Sequence, residues 1–325
     1  MKILLISHSS LKKGPRQYRQ IKALSNYEIH TVGLEKSGIE TKFFKIKKYN
    51  FFIKVIRLFL LKFNLYELYF WNINRRTLYN KLKKNKYKLI IVHEIRMAPL
   101  AFKLSNHIIP VILDAHEYSP ENFNDNFFWR FFIKNYYFHL CTKYLKRFNE
   151  IITVSDGIVE KYNREFNINC ILINNATEYI SGLKPIKTKG KIKIIHHGIV
   201  SSSRSLDLII DMMNYLDPNL YELNLMLVSS ISRSYYLQKL KLKSKNKNIK
   251  FLKPVKREEI VSYCNNFDIG IIFFPPKNFN LKFGLGNKFF EYIQSRLCLV
   301  IGPDIEMSQI IKKYKLGVIC NTWNP

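Results

Sequence analysis

The chain has 325 residues, 47% of them hydrophobic, with 53 Lys and Arg against 24 Asp and Glu and a formal charge of +29. That apolar content excludes a disordered chain and suffices for one large core or two ordinary ones. Five Cys, at positions 141, 170, 264, 298 and 320, share no paired spacing, which argues against a disulfide-stapled domain and makes reduced thiols in the cytoplasm the expectation.

In chain order, Lys2–Ile6 reads as a buried strand rather than a signal peptide, because MKILLISHSS turns polar too soon. Pro15–Ser25 reads as a helix opened by Pro. Glu28–Val32 and Thr41–Ile46 are strands, and Phe51 to about Lys83 is helical in pattern, broken near Asn72. Lys88–Val92 and Val111–Asp114 are short apolar strands with a helix between them. Asn126–Asn149 is an aromatic-rich helix. Glu150–Val154 and Asn169–Ile173 are strands around a helix Asp156–Glu165, with Asp156 as its expected cap. No uncharged apolar run approaches the ~18 residues of a membrane span.

The stretch Glu178–Gly190 carries Gly, Pro, Ser and Lys without apolar periodicity and reads as a linker. The alternation then restarts. Strands are expected at Lys191–His196, Glu222–Val228, Asn248–Leu252, Asp268–Phe273, Leu297–Ile301 and Gly317–Cys320. Helices are expected at Leu206–Leu216, 232–245, Arg257–Asn265, Asn287–Ser295 and Ile305–Lys313. Two blocks of strand–helix alternation predict an α/β protein of two Rossmann-like parallel-sheet domains, residues 1–180 and 181–325. Ligands of such sheets bind beyond the carboxyl ends of the strands. The informative residues fall there: Ser7–Gly14, His93–Arg96, His116–Tyr118, His197–Ser203 and Pro275–Gly286.

Four stretches could carry chemistry. In Phe283-Gly-Leu-Gly-Asn-Lys-Phe-Phe-Glu-Tyr292 a glycine-bearing loop enters a helix, whose unpaired N–H groups suit a phosphate. Gly284 and Gly286 would let the backbone approach a ligand, Lys288 adds a cation, and Asn287 and Glu291 share one helix face. A plain amphipathic helix is the alternative. In Asp114-Ala-His116-Glu117-Tyr118 a His at a strand's carboxyl end can bond a sugar hydroxyl or exchange a proton with it; a structural His is the alternative. No second His stands at metalloprotease spacing, so zinc is not implied. After His197-Gly198, a Ser-rich loop leads to Arg204, which could grip a phosphate bidentately or be solvated. Gly14-Pro-Arg16-Gln-Tyr-Arg19 places two Arg on one helix face, reaching a cleft or facing solvent. No Asp-x-Asp triplet is present to bridge a metal ion to a diphosphate, and no nucleophile elbow appears.

Taken in order, these pieces resemble the retaining glycosyltransferases of family 4. The most specific part is Gly286-Asn-Lys-Phe-Phe-Glu291-Tyr-Ile, followed by Leu299-Val-Ile-Gly-Pro and Ile305-Glu-Met. Gly14-Pro-Arg16-Gln-x-Arg19, Asp114-Ala-His-Glu, Ile152-Thr-Val-Ser155 and Ile173-Asn-Asn-Ala support it. The resemblance covers nearly the whole chain. It implies the GT-B architecture, two Rossmann-like domains facing a cleft, with acceptor held by the first and nucleotide-sugar donor by the second. Glu291 would bind the donor ribose. Arg204 and Lys288 would face its diphosphate, helped by Gly198, Gly286 and Asn287. His116 would be the catalytic residue beside the donor sugar, with Arg16, Arg19, His93 and Glu117 on the acceptor side. No metal and no cofactor is implied. The acceptor would be a glycan or a lipid-linked molecule in cell-surface polysaccharide (capsule or lipopolysaccharide) or glycolipid synthesis.

Three departures stand out. Phe283 occupies the place of the first Glu in the family's paired-Glu motif, Ser205 and Leu206 follow Arg204 without the usual Lys, and Arg296 and Cys298 replace the usual Gly and Pro. The chain ends at Pro325, where family members continue with further helices, so a short member or a missing C-terminus is expected. An epimerase or hydrolase of the same fold is one alternative function. A non-catalytic binder of anionic glycan or nucleic acid is another.

The charge has its own geography. Residues 42–88 hold 14 basic side chains and one acid, Glu67. The stretch Phe51–Trp71, apolar nearly all round and studded with Lys54, Arg57 and Lys62, suits an anionic membrane surface; a helix pair packed on the sheet is the alternative. The aromatics fall mostly at core-periodic positions and no nucleic-acid module is visible, so nucleic acid is not the expected partner. The remaining Lys is accounted for by compositional bias on a solvated surface. The expected location is cytoplasmic, peripheral on the inner face of the cytoplasmic membrane.

Overall fold

The computed structural model describes residues 1–186, 189–229, 234–245 and 248–324. Two compact units divide between Asn174 and Asn175. All five cysteines are free thiols.

The first unit runs β1 (Lys2–Ile6), α1 (Pro15–Ala23), β2 (Glu28–Gly33), β3 (Lys42–Lys45), α2 (Phe51–Lys62), α3 (Tyr66–Phe70), α4 (Ile73–Leu82), β4 (Leu89–His93), α5 (Ala98–Ser105), β5 (Val111–His116), α6 (Phe127–Phe132), α7 (Lys134–Tyr144), β6 (Glu150–Thr153), α8 (Asp156–Phe166) and β7 (Cys170–Leu172). Its sheet is wholly parallel in the order β3-β2-β1-β4-β5-β6-β7. β1 lies near the middle, and Ile3, Leu4, Leu5 and Ile6 are completely buried. A continuous apolar run is what a strand covered on both faces needs.

The second unit runs β8 (Ile192–Ile199), α9 (Leu206–Met212), β9 (Tyr221–Val228), α10 (Ser234–Lys243), β10 (Ile249–Leu252), α11 (Ile260–Cys264), β11 (Ile269–Ile272), α12 (Phe279–Lys282), α13 (Asn287–Gln294), β12 (Cys298–Ile301), α14 (Ile305–Tyr314) and β13 (Gly317–Ile319). Its parallel sheet has the order β10-β9-β8-β11-β12-β13. One core gathers Ile194, Leu206, Ile210, Leu223, Leu225 and Ile271, and a second gathers Ile195, Phe289, Tyr292, Leu299 and Ile301. In both sheets the strand order reverses beside the first strand, between β1 and β4 and between β8 and β11. The crevice beyond such a reversal is where open α/β sheets bind ligands.

The expected fold class is the one observed, and the differences are local. The long helical stretch after Phe51 is three helices. Asn64 takes a left-handed turn, φ +57°, and Asn72 caps α4 by accepting a hydrogen bond from Arg75 N at 3.2 Å. Short Asn side chains bond the local backbone and so favour breaks over helix interiors. Asn126–Asn149 is likewise two helices and a 3-10 turn, with Asn126 as first cap. Asp156 is the first residue of α8 and not its cap, a place taken by Ser155. The start of the helix expected at 232–245 lies outside the described residues.

Candidate active site

In the second unit, the loop leaving β8 and the first turn of α13 build a cationic site. Gly198 has φ +135°, a conformation that side chains rarely adopt. A Cβ there would lie 3.3 Å from an Arg204 guanidinium nitrogen and 3.4 Å from Lys288 Nζ, so both cations converge on this glycine. Arg204 ends a 3-10 turn, Ser202–Arg204, and a left-handed Ser205 (φ +46°) starts α9 after it. The Phe274 ring lies beneath both charges, 4.5 Å from Lys288 Nζ and 5.5 Å from the Arg204 guanidinium carbon.

His196 holds Lys288 from behind. Its Nδ1–H donates to Ile271 O at 2.9 Å, which leaves the Nε2 lone pair facing Lys288 Nζ, also at 2.9 Å. Burial drives the His196 pKa well below the ordinary value, and Lys288 adds to the effect. Burial also drives the Lys288 pKa well below the ordinary value, followed by repulsion from Arg204, with Glu291 opposing. Two cations compressed onto one neutral spot make a place where an anion relieves strain in charge.

α13 carries the rest. Its Phe289 and Tyr292 are buried in the core and anchor it. Phe289→Ala would cost about 3–5 kcal/mol. The opposite face presents Asn287, Lys288 and Glu291. Glu291 is 8% exposed, with Oε2 3.3 Å from His197 Nε2. The His197 pKa is lowered to about 3 by burial, then by Lys288 and Arg204, so this imidazole is neutral. Tyr292 fixes the strand end: its hydroxyl accepts from His197 N and donates to Ile195 O, both at 3.1 Å. Gly270 makes room for that ring, since a Cβ would come within 2.5 Å of it.

The glycines before α13 have different surroundings. At Gly284 a Cβ would meet Asn280 O at 2.5 Å, so the fold itself requires glycine there. Gly286, the N-cap, has an ordinary φ of −78° and open space where a Cβ would be. Asn175 steadies this loop by donating to Leu285 O at 3.1 Å. Phe283, at the motif's first-Glu place, packs on Phe279 with ring centroids 4.7 Å apart.

In the first unit a polar knot forms beyond β4 and β5. Arg16 Nε donates to Asp114 Oδ2 at 2.6 Å and its Nη1 to Ile173 O at 2.8 Å. Gln20 donates to the same Asp114 oxygen at 2.5 Å. His93 Nδ1 lies 2.8 Å from His116 Nε2. The register of β5 against β6 shifts between Asp114 and His116, and His116 takes φ +59°. Such an irregularity re-aims a side chain, and a left-handed non-glycine residue is held there only by its surroundings. Glu94, one residue after β4, is also left-handed, φ +68°.

Burial works against a charge on Asp114, but His116, His93 and Arg16 outweigh it and hold its pKa below the ordinary value. The His93 pKa falls to about 3, chiefly by burial, and burial also lowers that of His116 while Asp114 opposes. Both rings are therefore neutral near neutral pH. His93 Nε2 is buried with no hydrogen-bond partner, which suits a lone pair better than an N–H. On that assignment His93 Nδ1–H donates to His116 Nε2, and His116 keeps Nδ1–H as a donor. His116 is the more open ring, its side chain 23% exposed against none for His93.

His93, Asp114 and His116 also offer ligand atoms within 4.8 Å of one another, the one such grouping among the described residues. Arg16 and Gln20 both bond Asp114 Oδ2, while Oδ1 is buried without a hydrogen-bond partner. The reading of Arg16 as a solvated cation is overturned: it is 6% exposed and committed to Asp114. Arg19 is half-buried on α1, and the Glu117 side chain is exposed while its carbonyl accepts from the Tyr162 hydroxyl at 3.0 Å. Sequence reasoning passed over His196, Phe274, Gln20 and Asp114 as site residues. His196 was visible only as the end of an expected strand, Phe274 as an aromatic residue after one, and Gln20 as a polar residue inside the first helix. Asp114 stood inside a motif whose His drew the attention.

No protein-family profile and no curated protein sequence matches the chain. Solved structures match its fold. HepE of Anabaena in complex with UDP aligns with a TM-score of 0.72 and 13% identity, over 100% of this chain and 86% of that one. Sucrose-phosphate synthase of Thermosynechococcus elongatus aligns at 0.70 and 12%, over 98% and 85%. A UDP-forming α,α-trehalose-phosphate synthase of Burkholderia vietnamiensis aligns at 0.62 and 12%, over 99% and 88%. With its seven- and six-stranded parallel sheets, the chain has the GT-B fold of these proteins.

Proposed function

We propose that the protein is a glycosyltransferase that moves a sugar from a nucleoside diphosphate to a glycan or lipid-linked acceptor, with retention, in cell-surface polysaccharide or glycolipid synthesis. The observation that carries this reading is the convergence of Arg204 and Lys288 on Gly198, with Glu291 one helical turn beyond Lys288. HepE structures with UDP and with UDP-glucose support the same donor class.

In this reading the diphosphate takes the place between Arg204 and Lys288. As the bond from the anomeric carbon to the phosphate oxygen breaks, negative charge grows on the leaving nucleoside diphosphate. Cations fixed in advance on Phe274 and His196 stabilise that charge without reorganising. Glu291 accepts hydrogen bonds from the ribose hydroxyls. In the first unit, His116 Nδ1–H donates to a sugar hydroxyl, and Arg16, Asp114 and His93 act as positioning residues that hold His116. The first unit binds the acceptor. Arg19 and Glu117 are assigned to that side.

A peripheral place on the inner face of the cytoplasmic membrane belongs to the same reading. α2 exposes Phe51, Phe52, Ile56 and Phe59 among Lys54, Arg57 and Lys62, a composition that suits an anionic bilayer surface. No helix among the described residues is long and apolar enough to cross a membrane.

The test is thermal stabilisation by a panel of nucleoside diphosphates and their sugars, against single-stranded RNA. Stabilisation by one nucleoside diphosphate and its sugar is expected. Glu291→Gln should weaken that binding by about 1–3 kcal/mol, the worth of a hydrogen bond to a charged group. Stabilisation by RNA alone would sink the reading.

A further inference from the structure

Beyond the carboxyl end of β3, at the edge of the first unit's sheet, lies a cavity of about 710 Å³ closed on its other side by α4. Five cations line it: Lys45, Lys47, Lys48, Arg75 and Lys81. One acid, Glu35, joins them, and it is already engaged, accepting from Ser10 Oγ at 2.5 Å with Lys13 Nζ 3.9 Å away. Among the described residues no carboxylate forms an ion pair with Lys45, Lys47, Lys81 or Arg75.

Arg75 is the informative member. It is 5% exposed, its guanidinium lies 5.5 Å over the Phe70 ring, and it still reaches the cavity wall. Burial lowers its pKa to about 10; Tyr49 opposes this, and the nearby Arg96 and Arg57 add to it. A guanidinium buried among other cations without a carboxylate is costly unless an anion joins it. Arg57 supplies a further charge close by, stacked over Tyr49 at 4.3 Å and Tyr69 at 3.9 Å and donating to Tyr69 O at 2.6 Å.

Most of the rest of the lining is apolar or aromatic: Leu34, Phe43, Phe44, Ile46, Tyr49 and Leu78, with Asn74 and Thr77 as its neutral polar members. An inorganic phosphate would leave that apolar surface empty, because small-molecule sites of this volume bury drug-sized ligands. Tyr49 stands two residues before Phe51, where α2 begins its exposed run of Phe51, Phe52, Ile56, Phe59 and Phe63. An apolar chain leaving the cavity would therefore find apolar surface beside it.

We propose that this cavity binds a phosphate-bearing lipid, with the phosphoryl group on Arg75, Lys47 and Lys81 and the apolar chain on Phe43, Phe44 and Tyr49, continuing along α2. Identifying this lipid as the acceptor rests on the transferase reading above; the binding itself does not. The test is titration of the full chain with farnesyl phosphate, farnesol and inorganic phosphate. Farnesyl phosphate should bind at least ~10-fold more tightly than either of the others, a difference of about 1.4 kcal/mol. The double variant Lys47→Ser/Lys81→Ser, at two exposed positions, should lose most of that advantage and keep its melting temperature and its stabilisation by nucleoside diphosphate. Equal binding of farnesol marks a merely apolar groove and overturns the proposal. Equal binding of inorganic phosphate marks a free-phosphate site and overturns it too, as does unchanged affinity of the double variant. Loss of nucleoside-diphosphate binding by the wild-type chain would instead strike the transferase reading alone.

Discussion

The two polar sites handle buried charge in opposite ways. In the first unit, Arg16 meets Asp114 at 2.6 Å, Gln20 bonds the same carboxylate oxygen, and the two neighbouring histidines are neutral. The two charges meet directly, and what they hold in place is the backbone and ring of His116. In the second unit, Arg204 and Lys288 converge on one glycine, and Lys288 rests on a neutral histidine. Glu291 offsets part of their mutual repulsion from one helical turn away. A direct ion pair fixes geometry, whereas cations gathered at one place concentrate positive potential there.

The contrast can be broken by removing one charge from each site. Asp114→Asn leaves the Arg16 guanidinium buried without its partner, and breaking such a pair typically costs about 3–5 kcal/mol. Urea titration should show that loss of stability, while the shift in melting temperature produced by a nucleoside diphosphate persists. The sign with pH follows from the depressed Asp114 pKa. Its contribution is present above the carboxylate's unfolded pKa and is lost as pH falls through the folded one. The stability gap between wild type and Asp114→Asn should therefore narrow in acid. A gap that widens in acid would mean Asp114 is not the carboxylate the site depends on.

Lys288→Ala should do the reverse. Loss of one fixed cation facing a leaving group costs about 10²–10³-fold in rate where such groups act. The fold should not suffer, because the substitution removes a like-charge contact. Initial rates with the donor found by panel screening, set beside the melting temperature, check both halves. If Lys288→Ala melts lower and transfers sugar normally, its cation is structural and the contrast between the sites collapses.

How much of this was legible beforehand depends on what each feature needs. The strand ladder was readable because a sheet covered on both faces demands continuous apolar runs such as Lys2–Ile6 and Leu89–His93, and those are local. Arg204, Lys288 and Glu291 were readable as candidates because a loop after a strand and the first turn of a helix are positions with a chemical use. What could not be read was who meets whom. Arg16 and Asp114 are 98 residues apart in sequence, and His196 and Lys288 are 92 apart. No spacing rule reaches that far. The left-handed turn of His116 is a consequence of the register shift against β6, a property of two strands and not of one. The glycines, too, are set by surroundings that composition does not show. Gly284 meets a carbonyl four residues before it, whereas Gly198, alone of Gly198, Gly284 and Gly286, takes a conformation that needs glycine.

The smallest effect is also the most direct reading of the open site. Burial and Arg204 keep the Lys288 pKa well below its ordinary value in the free protein. A lysine depressed in this way costs stability while it is forced to stay charged, and the cost fades as pH rises from the folded pKa to the unfolded one. A bound diphosphate favours the protonated amine, so it should raise that pKa and draw a proton from solution. Calorimetry of nucleoside-diphosphate binding in two buffers of different ionisation enthalpy should show uptake of a fraction of a proton. Affinity should fall as pH rises, by at most about tenfold per pH unit for a single group. Lys288→Ala should abolish the uptake, and Asp114→Asn should leave it untouched. Uptake that survives in Lys288→Ala would move the titrating group elsewhere and leave Lys288 without the role its position on Gly198 gives it.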